Sequence, residues 1–305
     1  MRIYWYCPLK IFEAFDEMGD NPSFRLRCLN THNKLIQNGH FSKIAHSVYE
    51  IQDPDIVILM SFGEEELELA QWTKKRGACL IHDYSENIRG IPVLEETKKL
   101  CDGIVCCSTA LGNLEKIDYS DKVYVVKDPI EESAVIRNPR FSNERLKVGW
   151  MGMGGNASWV SDLLKPLVEY HNMEYVEISN REEATVPWTR DNWHVDLAGC
   201  DIALCPQAHW QFPAKSNVKV TTAIGLGLPV IASPIQSYIE ILTDGFNAFI
   251  CHDLDQWGSA LNKLRTKELR ELFVKRSREF LPYYSADFIY REWEAVFQGC
   301  LRSSL

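Results

Sequence analysis

Short runs that are apolar on both faces alternate with helical patterns along almost the whole chain, and this alternation limits the folds open to it. The first runs are RIYWYC (2–7), DIVILM (55–60), ACLIHD (78–83), GIVCCS (103–108) and KVYVVK (122–127). Between them lie helical patterns such as 24–37, which ends before Asn38-Gly39, and 64–76, which is stopped by Gly77. A strand with no polar face is buried on both sides, the condition of a parallel sheet covered by helices. The pattern lapses over DPIEESAVIRNPRFSNER (128–145), charged and holding two prolines, which suits a linker. It restarts with LKVGWMG (146–152), MEYVEIS (173–179), DIALCP (201–206), LPVIAS (228–233) and AFIC (248–251). Two α/β halves joined by a short linker is the simplest organisation.

Composition narrows the function. With 305 residues, 46% hydrophobic and 25% charged, the chain is globular and long enough for one large domain or two ordinary ones. A formal charge of -9 argues against a general nucleic-acid binder, yet a few local lysines can still hold a small anion. Eight histidines and ten cysteines form no HExxH, no CxxC and no Cys/His cluster with zinc spacing. Cys106-Cys107, Cys200 and Cys205 sit in or beside apolar runs, so buried free thiols in a reducing compartment are expected. MRIYWYCPLK lacks the apolar length and cleavage site of a signal peptide, and no run approaches the roughly 20 apolar residues of a membrane span. A cytoplasmic protein is expected, with a peripheral membrane association left open. In the tail, Ser285 is placed to cap a helix carrying Ile289, Trp293, Val296 and Cys300 on one face.

The stretch KSNVKVTTAIGLGLPVIASP (215–234) holds a turn, a helix and a buried strand. Ser216 is a good N-cap for a helix from about Asn217 to Leu226, Gly227 suits its C-terminal turn, and Pro229 stops it. Lys219 falls in the first turn and Lys215 just before it, where the helix dipole disfavours cations. An anion on the helix N-terminus reverses that penalty, and phosphate is the obvious one. Two solvated lysines are the alternative reading.

The longer stretch NVKVTTAIGLGLPVIASPIQSYIEILTDGFNAFI resembles the donor half of GT-B glycosyltransferases, in particular family 4 and its relatives. The shared pattern is a lysine or arginine on a helix, Gly-Leu-Pro-Val-Ile-Ala-Ser, a glutamate (Glu240), then Asp244-Gly245 and an apolar strand. LKVGWMGMGGN is similar to the first strand and glycine loop of that half, and HVDLAGCDIALCPQ to the strand before its donor loop. CDGIVCCSTAL and KVYVVKDPI look like the last strand units of the acceptor half.

The resemblance implies an α/β fold of two Rossmann-like domains facing across a cleft. An acceptor-side domain would span 1–130, a linker 131–144, a nucleotide-sugar-binding domain 145–282, and a last helix within 283–305 would cross back to the first domain. The implied reaction moves a sugar from a nucleotide-sugar donor to a hydroxyl acceptor, a glycan or lipid-linked glycan being the candidates. It would be retaining and would need neither metal nor other cofactor. Lys219 would hold the departing diphosphate, cradled with Lys215, Ser216, Asn217 and Val218, while Gly154 and Gly155 let backbone approach the phosphates. Thr222 would meet a ribose hydroxyl, and Glu240 would belong to the donor site. The two glutamates that family 4 often carries eight apart fall here on Ala214 and Thr222, a departure that keeps two other readings open. These are a nucleotide-sugar 2-epimerase and a catalytically weak sugar-nucleotide-binding subunit.

Other residues offer roles on this reading. HDYSEN (82–87) follows a strand, so His82, Asp83 and Glu86 are placed to orient or deprotonate an acceptor hydroxyl, or simply to cap the loop. The loop 12–20, with Gly19, would close over acceptor, and Arg25 and Arg27 would meet phosphate or solvent. His209 and Trp210 would wall the donor site or pack as ordinary aromatics. Asp53-Pro54-Asp55 matches a metal-binding DxD, but before a strand it reads as a turn.

Overall fold

The computed structural model describes residues 1–13, 17–85, 88, 90–136, 139, 141, 145–207 and 215–303, the side chains of 154–159 and 303 excepted. The chain divides into two compact units, each built on a parallel six-stranded sheet. The first unit comprises Met1–Pro129, Ala214–Ser216 and Tyr284–Leu305, the second Ile130–Pro213 and Asn217–Tyr283.

In the first unit the strands are β1 (Arg2–Tyr6), β2 (Phe41–Ala45), β3 (Ile56–Leu59), β4 (Cys79–Tyr84), β5 (Gly103–Cys106) and β6 (Val123–Val125). They stand in the order β2-β1-β3-β4-β5-β6, with α1 (Asn30–Gln37), α2 (Glu64–Lys75), α3 (Pro92–Leu100) and α4 (Thr109–Tyr119) as connections. Alternate residues of a strand point to opposite faces. Trp5, Ile58 and Ile81 therefore pack with Cys28 and Leu35 on one side, while Tyr6, Leu59 and Leu80 pack with Leu69, Leu94 and Leu111 on the other.

The first of those faces is completed by the C-terminal helix, Ala286–Ser303, whose Ile289, Trp293, Val296 and Cys300 are buried in it. Ser285 Oγ accepts the Phe288 N–H at 3.3 Å, the cap its position suggested. Trp293 meets Trp5 edge to face at 5.2 Å. β2 escapes a reading by pattern because it is an edge strand and carries Ser42 and Lys43.

The second unit contains β7 (Lys147–Met151), α5 (Gly154–Tyr170), β8 (Glu174–Ser179), β9 (Val186–Pro187), α6 (Trp193–Ala198) and β10 (Ile202–Cys205). α7 (Val218–Gly225), β11 (Val230–Ala232), α8 (Gln236–Ile239), β12 (Phe249–Ile250), α9 (Leu254–Lys263) and α10 (Lys267–Ser277) follow, so the C-terminal helix is α11. The sheet order is β12-β11-β10-β7-β8-β9. In the unit's own count that is 6-5-4-1-2-3, the order of the dinucleotide-binding Rossmann sheet read from its far edge.

Residues 130–136 belong to this unit. Ile130 and Ala134 are buried, and the Ile136 N–H donates to the Gly225 carbonyl at 3.1 Å. A Cβ on Gly225 would run into Ile130 and the Ala134 backbone, which is why α7 ends on a glycine. Gly227 follows at a φ of 75°, letting Leu228 N–H bond back to Ala223 at 2.9 Å and close the helix.

Trp293 is 1% exposed and fills the face of the first sheet. Trp293→Ala is expected to cost about 3–5 kcal/mol of unfolding free energy in a urea melt. A loss under about 1 kcal/mol would mean that α11 contributes little to that core.

Candidate functional site

The second sheet changes direction between β7 and β10. From β7 the chain runs through α5 to β8 on one side; from β10 it runs through α7 to β11 on the other. Helices that leave neighbouring strands in opposite directions open a crevice at the carboxyl ends of those strands, the usual ligand site of open α/β sheets. α5 starts with Gly154 and Gly155, directly beyond β7, and α7 starts with Val218. Asn217, not Ser216, is the N-cap of α7, and its side chain makes no capping bond.

Lys219 lies in the first turn of α7 and reaches the end of β7. Its ammonium stands over the Trp150 ring at 5.2 Å from the centroid. A Cβ on Gly152 would come within 3.1 Å of the same ammonium. At the end of β10, burial pushes the Cys205 thiol up to about 12, and the nearby charge of Lys219 opposes that shift. Lys219 thus meets the end of β7, and its charge is felt at the end of β10. Thr222 is buried one turn further along α7, and Glu240 follows α8 with both carboxylate oxygens shielded from solvent. Lys215 is exposed and, with Ser216, is grouped with the first unit. Glu86, His209, Trp210 and Ala214 lie outside the described residues.

In the first unit the expected His82–Asp83 pair is split. β4 runs on to Tyr84, so these neighbours are strand residues that point to opposite faces. Asp83 is 4% exposed, and both its oxygens accept from Arg27 Nε at 2.9 Å. Arg27, itself 2% exposed, also donates to the Val126 carbonyl at 2.9 Å and to Asp128 Oδ1 at 2.7 Å. Burial works against the guanidinium charge, but Asp83 and Asp128 more than offset it and raise the Arg27 pKa. The other Asp128 oxygen accepts from Ser216 Oγ.

Arg27 is thus enclosed among protein partners, and Arg25 donates to the Gly19 carbonyl at 2.7 Å. On the opposite face, Lys98 lies 3.8 Å from the centre of the Tyr84 ring and 2.8 Å from Glu115 Oε2. Burial and then the Lys98 charge lower the His82 pKa to about 4. Asp53 takes a φ of 44° in a turn, and Asp55 accepts the Arg2 N–H at 2.7 Å, so this DxD shapes the entry to β3.

No family profile matches the sequence, nor does any curated protein. Solved structures do. HepE from Anabaena, in complex with UDP and glucose, shares 10% identity at a TM-score of 0.67, over 98% of this chain and 99% of that one. WaaB, a lipopolysaccharide outer core galactosyltransferase in its apo form, shares 12% at 0.64, over 98% and 99%. TarM shares 13% at 0.59, covering 82% of this chain and 57% of TarM, so the match spans little more than half of that protein.

The fold is GT-B. At these identities the likeness is one of fold. Within this GT-B chain, Trp150 is a neighbour of Lys219 that sequence reading passed over. The available signal for Trp150 was a large aromatic one residue from the end of a strand, with Gly152 two positions on. Among the described residues no helix is long and apolar enough to cross a membrane, and no three His, Cys, Asp or Glu gather as a metal site.

The lowered His82 pKa carries a pH dependence. In the unfolded chain this histidine binds a proton below about pH 6.5, whereas in the folded chain it does so only near pH 4. Stability is therefore complete above the unfolded value and falls as pH drops between the two. By pH 5 the loss should be about 2 kcal/mol. Urea melts at about pH 7.5 and about pH 5 should show His82→Phe losing less between them than the parent does. Equal losses would put the titrating group elsewhere.

Proposed function

We propose that this chain is a glycosyltransferase that moves a hexose from a nucleotide-sugar donor to a hydroxyl acceptor. The observation that carries the reading is Lys219, on the first turn of α7 and against the end of β7, at the reversal of the second sheet. Cleavage of a sugar–diphosphate bond leaves growing negative charge on the phosphates. An ammonium beside a helix N-terminus is suited to stabilise that charge without reorganising. The presence of UDP and glucose in HepE, which shares the fold, supports a uridine nucleotide as the first donor to try.

We take the transfer to be metal-independent, because the protein groups at this crevice suit the leaving diphosphate, and retaining, by resemblance to family 4. A glycan or lipid-linked glycan is the proposed acceptor. His82 and Asp83 are not assigned as its base, given their burial on opposite faces of β4. Thr222, where family 4 often has a glutamate, favours a second reading as a weak sugar-nucleotide-binding subunit. Incubation with UDP-sugars separates the possibilities. UDP release by transfer or hydrolysis supports the enzyme, interconversion of donors without release marks a 2-epimerase, and binding without turnover marks the subunit.

Lys219→Ala should weaken UDP binding by a factor of roughly 10–150, the worth of a charge-assisted hydrogen bond. Turnover should fall further, since the extra charge develops only in the transition state. Lys215→Ala should do less, and neither change should lower the melting temperature appreciably. Unchanged UDP affinity in Lys219→Ala would place the phosphate site elsewhere. A chelator should leave turnover intact; loss restored by manganese or magnesium would overturn metal independence.

A further inference from the structure

We infer that Trp150 is a positioning residue, holding the Lys219 ammonium over the crevice in the orientation from which it meets a diphosphate. The inference rests on the phosphate role of Lys219 proposed above. Trp150 is the penultimate residue of β7 and 1% exposed, so its ring is fixed by the core of the second unit. Its indole Nε1 has no hydrogen-bond acceptor among the described residues. The ring is thus held by packing, and its face is presented to Lys219 with the centroid 5.2 Å from Nζ.

Gly152 completes the arrangement. A Cβ there would lie 2.5 and 2.8 Å from the indole Cζ2 and Cη2 and 3.1 Å from the ammonium. Any larger residue would displace both partners, so ring, ammonium and bare backbone fit as a set. The physical advantage is specific to an aromatic partner. Lysine has a flexible four-carbon stem and loses rotamer freedom when it must hold one ligand geometry. A carboxylate would restrain it by cancelling its charge, as Glu115 does for Lys98. A ring face attracts the ammonium through its quadrupole and leaves the positive charge to act on an anion.

A double-mutant cycle tests this with UDP as the probe, by calorimetry, with melting temperature recorded for every variant. Trp150→Leu should weaken UDP binding about three- to tenfold in the parent, the size of a partly desolvated cation–π contact. In the Lys219→Ala background the same change should have no further effect, because the ring acts through the ammonium. Trp150→Phe, which keeps a smaller face, should lose less than leucine, and it carries the cycle if the leucine variant does not fold. An equal loss in both backgrounds, or none in either, overturns the positioning role while the Lys219 reading stands. If Lys219→Ala alone leaves UDP binding unchanged, the phosphate reading itself fails, and the positioning role goes with it.

Discussion

A parallel strand buried on both faces has no place for polar chemistry along its length, so chemistry is driven to the strand ends. In the first unit the central strands are largely apolar, and alternate residues feed separate cores on either side of the sheet. The helices that cover those faces must start just beyond the carboxyl ends of the strands. Each start brings partial positive charge to the same edge. In the second unit α5 and α7 begin beside one another because β7 and β10 are neighbours whose chains diverge. Topology thus makes that edge favourable to an anion, and Lys219 adds a full positive charge there.

The same two-sided burial explains what the sequence made legible. Runs without a polar face mark central strands, and those of both units were readable on that ground. β2 was not, because an edge strand tolerates Ser42 and Lys43. β9, a Val186–Pro187 pair, is too short for any period. At the site, the helix carrying Lys219 and its glycine ending were legible from local turn chemistry. The cap was misjudged by one residue: Asn217 is the N-cap, and the Ser216 hydroxyl donates to Asp128. That contact joins residues 88 apart in sequence, beyond the reach of local rules. His82 and Asp83 were counted both in the strand 78–83 and in the stretch 82–87 that follows it, and were weighed for chemistry as residues of the strand's end. Both are strand residues of β4, and as consecutive ones they point to opposite faces.

Arg27 and Lys98 are enclosed, and each is matched by carboxylates within 2.6–2.8 Å. Such pairs give little net stability over apolar packing, but removing one partner leaves an uncompensated buried charge. Their consequence is geometric. Arg27 ties the end of β4 to the segment following β6 through Asp83, Val126 and Asp128, and Asp128 in turn holds Ser216. These are charges consumed by architecture, which is why polar residues at a strand end were an ambiguous signal of chemistry.

The helix that carries Lys219 is held from both ends, and this separates a useful cation from an ordinary surface lysine. At its C-terminal end, Gly225 admits Ile130 and Ala134 to backbone contact, while Gly227 turns the chain against Pro139. At its N-terminal end, the first turn meets the end of β7 through Trp150. A helix of eight residues gains little stability from its own hydrogen bonds, so these contacts, rather than intrinsic helicity, fix where its first turn lies. Stabilising a departing phosphate requires donors already in place, because placement errors near one ångström can cost two orders of magnitude in rate. On the proposed role of Lys219, the glycines that end α7 and the tryptophan beneath its first turn answer one requirement. The backbone of Lys219 is set by close packing, and the freedom that remains belongs to its side chain.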